Sequence, residues 1–260
     1  MLNSTQSSFR RRLLNRECLV GSFIKTPTSH AIEIIGGTGF DFVVIDQEHA
    51  PFDHGSTDVS LLAARAAQTA GVVRVPVLSA DAIQSVLDCG AVGVLAPHVA
   101  SVAQAQALVS ACRYRGGARG FSGVTRAGGY GGSKMWNLVD AADASVATIA
   151  MIEDPAALDV IDAIVAVEGL DAVFIGRGDL TVAFGAPTRD APVIRDAVDA
   201  IIAAAKKVGK AVCVMVDGAE EAADFAARGA SAFIVSSDQG FLRKAAAQAL
   251  AEMSALKVAS

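Results

Sequence analysis

The chain lacks any pair of cysteines close enough in sequence to clamp a metal or form a redox motif. Cys18, Cys89, Cys112 and Cys213 stand far apart and no C-x-x-C occurs. This argues against a thiolate metal site and a disulfide framework, and reduced thiols in a cytoplasm suit the pattern. Hydrophobic residues make up 52% of the 260 positions, yet no stretch approaches the ~20 apolar residues of a membrane helix. Runs such as LDVIDAIVAVEGLDAVFIG are broken by acids every few positions, so a soluble chain with no membrane partner is expected. Basic residues form no stripe beyond the three arginines at 10–12, and the net charge is −5. That disfavours nucleic acid as a partner. The first 17 residues lack the apolar stretch of a secretory signal and read as a tail leading into a short helix. No G-K-[ST] closes any glycine cluster, which removes a Walker loop. No linker or composition break divides residues 1–260, so one domain is expected.

What is present is a rhythm. Short apolar, β-branched runs recur at 19–24, 42–46, 72–77, 92–97, 147–153, 172–176, 211–216 and 231–237, each followed by a segment with helical spacing. Glycines at 71, 90, 209 and 229 sit where left-handed helix caps would want them. Eight strand–helix units in a chain of this length are the count of a (β/α)8 TIM barrel, and continuous apolar strands fit a parallel sheet buried on both faces. An open doubly wound sheet is the rival. One region departs from the rhythm: residues 113–135, RYRGGARGFSGVTRAGGYGGSKM, are rich in glycine and arginine, as functional loops often are.

In such a barrel the active site lies at the C-terminal ends of the strands. The run FVVID ends in Asp46, with Glu48 and His49 just beyond. Arg74 lies near the end of the third run, His98 follows the fourth, Glu153 ends the fifth, Asp179 follows the sixth, Asp217 the seventh and Asp238 the eighth. Asp217 and Asp238 read equally well as helix caps, and His98 reads first as a satisfied half-buried histidine. Glu153 and Asp179 close consecutive strands. Two carboxylates that near repel unless a proton or cation separates them, and Mg²⁺ or Mn²⁺ accepts such hard oxygen ligands. No lysine ends a strand on this reading, which disfavours a Schiff-base aldolase.

The segments GFDFVVIDQEHAP, VVRVP, DCGAVGVLAPHV, RYRGGARG, IEDPAALDVIDAIVAVEGLDAVFIGRGDL and VSSDQGFLRKA together resemble the HpcH/HpaI aldolases, metal-dependent class II pyruvate aldolases. The resemblance implies reversible retro-aldol cleavage of a 4-hydroxy-2-oxo acid into pyruvate and an aldehyde, with Mg²⁺, Mn²⁺ or Co²⁺ as cofactor. It implies Glu153 and Asp179 as metal ligands, Arg74 as the stabiliser of the enolate oxygen, and His49 as the acid/base group with Asp88 as its partner. Substrate binding falls to Arg74, Met151, Gly178 and Asp179, with the pyruvate carboxylate at the backbone of Gly178 and Asp179. A homo-oligomer, often a hexamer, with the last helix exchanged between neighbours is also implied. Three positions depart from the family pattern: Met151 replaces a frequent Gln, Arg177 replaces a Pro, and the loop at 126–136 is glycine-expanded. Arg177 is expected near the pocket mouth, holding an anionic group or pairing outward with an acid of the next helix. A related acyl-CoA lyase and a non-catalytic binding barrel are the alternatives.

Overall fold

The computed structural model of the chain describes residues 4–258; the outermost residues of the expected domain, 1–3 and 259–260, lie outside it. Eight parallel strands close into a barrel in sequence order: β1 (Leu19–Ile24), β2 (Phe42–Asp46), β3 (Ala70–Arg74), β4 (Gly93–Ala96), β5 (Ala147–Ile152), β6 (Ala172–Ile175), β7 (Ala211–Val216) and β8 (Ala232–Ser237). The last strand pairs with the first, with a register shift between Gly21 and Phe23. The expected (β/α)8 architecture is therefore the observed one, and the open sheet is excluded.

Strand parity separates two cores. Phe42, Val44, Val72, Ile149, Met151 and Phe174 fill the barrel interior, while Val43, Ile45, Val73, Val94 and Ile152 pack outward against the helices. Each strand is apolar on both faces because both faces are dry. Side chains alternate strictly along a strand, so Asp46, Arg74 and Glu153 continue the inward rows.

Boundaries differ from the sequence reading where proline intervenes. The third strand spans Ala70–Arg74 instead of 72–77, because Pro76 has no N–H for a ladder. Gly71 accordingly lies inside β3 and caps no helix. A Cβ there would come within 2.8 Å of Leu61, so glycine lets the helix His54–Ala66 settle on the strand. The left-handed residue after that helix is Gln68, at φ 58°. Gly90, Gly209 and Gly229 do take positive φ, as expected.

The N-terminal segment is not a loose tail from Ser4 onward. The helix Ser4–Leu14 closes the lower mouth of the barrel, with Phe9 and Leu13 buried in the interior core and the Phe9 ring 5.4 Å from that of Phe42. Its arginines form ion pairs: Arg10 with the buried Asp171 at 2.9 Å, Arg12 with Asp41 at 2.8 Å. Among the described residues no helix is long and apolar enough to cross a membrane.

Candidate active site

Asp46 is the buried end of β2 and explains why an apolar strand terminates in a charge. Its Oδ1 accepts the N–H groups of Glu48 at 3.2 Å and His49 at 3.1 Å and Arg74 Nε at 2.9 Å. Its Oδ2 accepts Arg74 Nη2 at 2.7 Å and lies 2.7 Å from Lys25 Nζ. Burial opposes the charge, but the bonds from Arg74 and Lys25 outweigh it and hold the carboxyl at about 2. The backbone bonds also fold the chain after β2 so that Glu48 turns back toward the barrel mouth. Arg74 then extends Nη1 to within 3.0 Å of Glu48 Oε2.

Glu153 follows β5 on the inward side and is buried. Gly176 makes this possible, since a Cβ at that position would stand 2.5 Å from Glu153 Cβ and 2.8 Å from its Oε2. Burial drives the Glu153 carboxyl up to about 7. The charges of Asp179 and Glu48 push the same way, and the N–H and charge of His98 pull against them. His98 takes the left-handed conformation at φ 53° and donates its backbone N–H to Glu153 Oε1 at 2.8 Å. Its ring Nδ1 lies 3.1 Å from Asp154 Oδ2 and its Nε2 3.7 Å from Glu48 Oε1. Burial works against a charged His98 ring, but Asp154, Glu153 and Glu48 outweigh it and raise its pKa.

Glu48, His98 and Glu153 each place one donor atom within 4.8 Å of the others. Two carboxylate oxygens and an imidazole nitrogen suit a divalent cation of the Mg²⁺, Mn²⁺ or Co²⁺ type. Glu48 Oε2 is buried and accepts no aligned hydrogen bond, and the Glu153 carboxyl is costly to ionise without a cation. Both observations fit a metal at this point.

Asp179 stands beside this cluster on the first turn of the helix Arg177–Ala183, exposed and near enough to raise the pKa of Glu153. It lines a cavity of about 280 Å³ over the barrel mouth together with Lys25, Arg74, Met151, Gly178 and Arg189. Met151 brings its sulfur 4.0 Å from Arg74 Nη1. His49 sits at the rim, its side chain 56% exposed and its Nε2 3.7 Å from Glu48 Oε2.

One sequence-based expectation needs correction. Asp88 does not meet His49 within one chain. It ends the helix Ala80–Asp88, which runs back down from the C-terminal side of β3, so it lies at the lower rim and His49 at the upper. Its Oδ1 is 3.7 Å from Arg119, whose Nε and Nη1 are buried without partners among the described residues. The glycine-rich loop is at that lower rim too, since it joins the helix Val102–Cys112 to the helix Met135–Ser145 ahead of β5; Ala127 donates to the Asp88 carbonyl at 3.2 Å. Of the two arrangements expected for Arg177, pairing outward with an acid is the one observed, although the residue also lines the cavity. It donates to Glu221 Oε1 and to the Met215 carbonyl, each at 2.6 Å, and its guanidinium lies 4.9 Å from the centroid of the Phe225 ring.

Sequence reasoning also missed residues. On the sequence reading His98 is a half-buried packing residue and Glu48 has no role; in the structure both join the candidate metal cluster. Lys25 does follow a strand directly, on the inward parity of Phe23, so the absence of a strand-end lysine no longer argues against Schiff-base chemistry. Its Nζ is engaged by the Asp46 carboxylate at 2.7 Å. Parity counted through the polar residues beyond each strand was the available signal.

A family model described as HpcH/HpaI aldolase/citrate lyase matches residues 19–245. A hydroxypyruvate/pyruvate aldolase of Roseobacter denitrificans is 38% identical over 181 residues, covering 69% of this chain and 70% of that protein. A 4-hydroxy-2-oxovalerate aldolase of Rhodococcus jostii is 33% identical over 246 residues, 94% of each. The crystal structure of an HpcH/HpaI aldolase/citrate lyase family protein from Burkholderia cenocepacia superposes with a TM-score of 0.90 at 30% identity, over 95% of this chain and 99% of that one.

Proposed function

Since the chain belongs to the HpcH/HpaI aldolase/citrate lyase family, we propose that it is a class II pyruvate aldolase, a carbon–carbon lyase that splits 4-hydroxy-2-oxo acids reversibly into pyruvate and an aldehyde. The observation that carries this reading is one rim bearing both a carboxylate–imidazole cation cluster and a buried, fixed arginine beside a cavity of small-molecule size. The acyl-CoA lyase alternative is not favoured: relatives at 30–38% identity are named as aldolases of pyruvate and 2-oxo acids.

Glu48, His98 and Glu153 would hold the ion, with Asp179 the further carboxylate named by the family resemblance. A bound divalent ion supplies Lewis-acid charge to a chelating 2-oxo acid, worth several kcal/mol. Breaking the bond next to the carbonyl leaves an enolate, whose charge needs a donor already in place. Arg74 fills that role: Asp46 and Glu48 fix its guanidinium against the cavity wall, so no reorganisation is needed when charge develops. Gly178 and Asp179, in the first turn of a helix, offer backbone N–H groups to the pyruvate carboxylate. Met151 lines the same wall and fills it without a hydrogen bond of its own to substrate. His49 at the rim exchanges the proton of the 4-hydroxyl group.

Asp88 can assist His49 only from a neighbouring copy, since the two occupy opposite rims. We read the protein as a homo-oligomer on that ground and on the helix Asp238–Val258, which exposes Leu242, Leu250 and Met253. The four cysteines are all unpaired, which supports a reducing cytoplasm. The test is pyruvate release from a panel of 4-hydroxy-2-oxo acids, with and without added Mg²⁺, Mn²⁺ or Co²⁺. No release from any substrate under any metal would remove the proposal.

A further inference from the structure

Lys25 is the first residue beyond β1, and Asp238 takes the backbone N–H groups of Lys25 at 2.8 Å and Thr26 at 3.0 Å. The exit of β1 is thereby tied to the exit of β8, and the lysine side chain lines the cavity over the barrel mouth. Its Nζ stands 2.7 Å from Asp46 Oδ2, and the side chain remains 28% exposed.

Asp46 has partners besides this second cation. Arg74 already engages both of its oxygens, and two backbone N–H groups complete the shell. An ammonium has three donors, and Asp46 is the only ion-pair partner of Lys25 among the described residues. Two other cations of the wall are committed through several donors, Arg74 to Asp46 and Glu48 and Arg177 to Glu221 and the Met215 carbonyl, while Arg189 reaches Asp217 through Nη2 alone. Asp179 is the one acid among the lining residues. Each cation of the wall thus has an acid partner, and Lys25, which meets one carboxylate oxygen, keeps donors to spare on the cavity side.

We propose that Lys25 is a specificity-determining residue whose ammonium binds a carboxylate on the far end of the substrate, away from the 2-oxo acid group. The assignment of the near end to Arg74 and the Gly178–Asp179 turn rests on the aldolase reading above. A cavity of about 280 Å³ is at the small end for ligand sites, so the second carboxylate lies only a few bonds from the first. One of the two sequence readings of Arg177 gave this anion-recognising role to that residue.

The test compares two ligands that differ only in the distal group: 2-oxoglutarate, and 2-oxopentanoate, which carries a methyl in place of the second carboxylate. Their affinities are measured calorimetrically with Mg²⁺ present, on the wild type, Lys25→Met and Lys25→Arg. The wild type should prefer the diacid. Lys25→Met should lower that preference by about ten- to a hundred-fold, the worth of a charge-assisted bond, and Lys25→Arg should keep most of it. Affinity for 2-oxopentanoate, held in range in Lys25→Met, reports that the Asp46–Arg74 pair survives; if that variant fails to fold, Lys25→Gln takes its place. No preference in the wild type, or equal losses for both ligands, overturns the proposal. Because binding is read directly, it stands or falls apart from turnover. A retained Lys25-dependent preference with no cleavage of any 4-hydroxy-2-oxo acid would remove the aldolase reading and leave the carboxylate site.

Discussion

Asp46 and Arg74 are partners in the β2–β3 ladder, and their side chains close a two-pronged ion pair at 2.9 and 2.7 Å on the inner face of the barrel. The register of two strands thus sets the position of the guanidinium. Removing one partner leaves the other charged and buried, so Asp46→Asn should destabilise the fold by about 3 kcal/mol. The wild-type pair also has a pH signature. The Asp46 pKa falls from 3.8 unfolded to about 2 folded, so its contribution, about 2 kcal/mol by linkage, is complete above the unfolded value and lost as pH falls toward the folded one. Urea denaturation on either side of that window should show the loss in the wild type and a smaller one in Asp46→Asn.

Metal dependence separates the two candidate donor sets. His98→Ala and Glu48→Gln should each weaken Mn²⁺ binding at least ten-fold if the Glu48–His98–Glu153 cluster holds the ion. Asp179→Ala should weaken it as well if the family resemblance holds at that position. Titration of each chelator-stripped variant with Mn²⁺ gives the answer without a catalytic assay; unaltered binding in both His98→Ala and Glu48→Gln would rule out the cluster.

His49→Ala should slow cleavage of a 4-hydroxy-2-oxo acid by about 10² to 10⁴, the range of a lost general acid/base. Exchange of the pyruvate methyl protons should fall less, because that step depends on charge stabilisation beside Arg74. Equal losses in the two assays would assign His49 another role.

Arg177→Ala should cost stability and leave acceptor preference unchanged. Its guanidinium joins the helix Ala219–Arg228 to β7 through Glu221 and the Met215 carbonyl. A drop in melting temperature with an unaltered ratio of kcat/KM for acidic and neutral aldehydes is the expected pattern.

Leu13→Ala tests the helix that closes the lower mouth. Leu13 is fully buried, and such truncations cost about 2–5 kcal/mol. A change below about 0.5 kcal/mol, the usual size for a surface substitution, would mean that the helix contributes nothing to the barrel core.

The sequence by itself determined the barrel and most of its strand limits, because apolar runs of strand length alternating with helix-spaced segments bury both faces of a parallel sheet in essentially one way. It also determined that polar groups gather beyond the strand ends, and parity would have put Asp46, Arg74 and Glu153 on the inner row. Only the tertiary structure decided which of those groups meet. His98 joins Glu48 and Glu153 because its backbone adopts a left-handed turn that no spacing announces. Asp88 parts from His49 because a helix running antiparallel to its strand carries its last residue to the opposite rim. Arg177 turns outward and Lys25 inward because Glu221, Phe225, Asp46 and Asp238, all distant in sequence, decide where each charge is best paired.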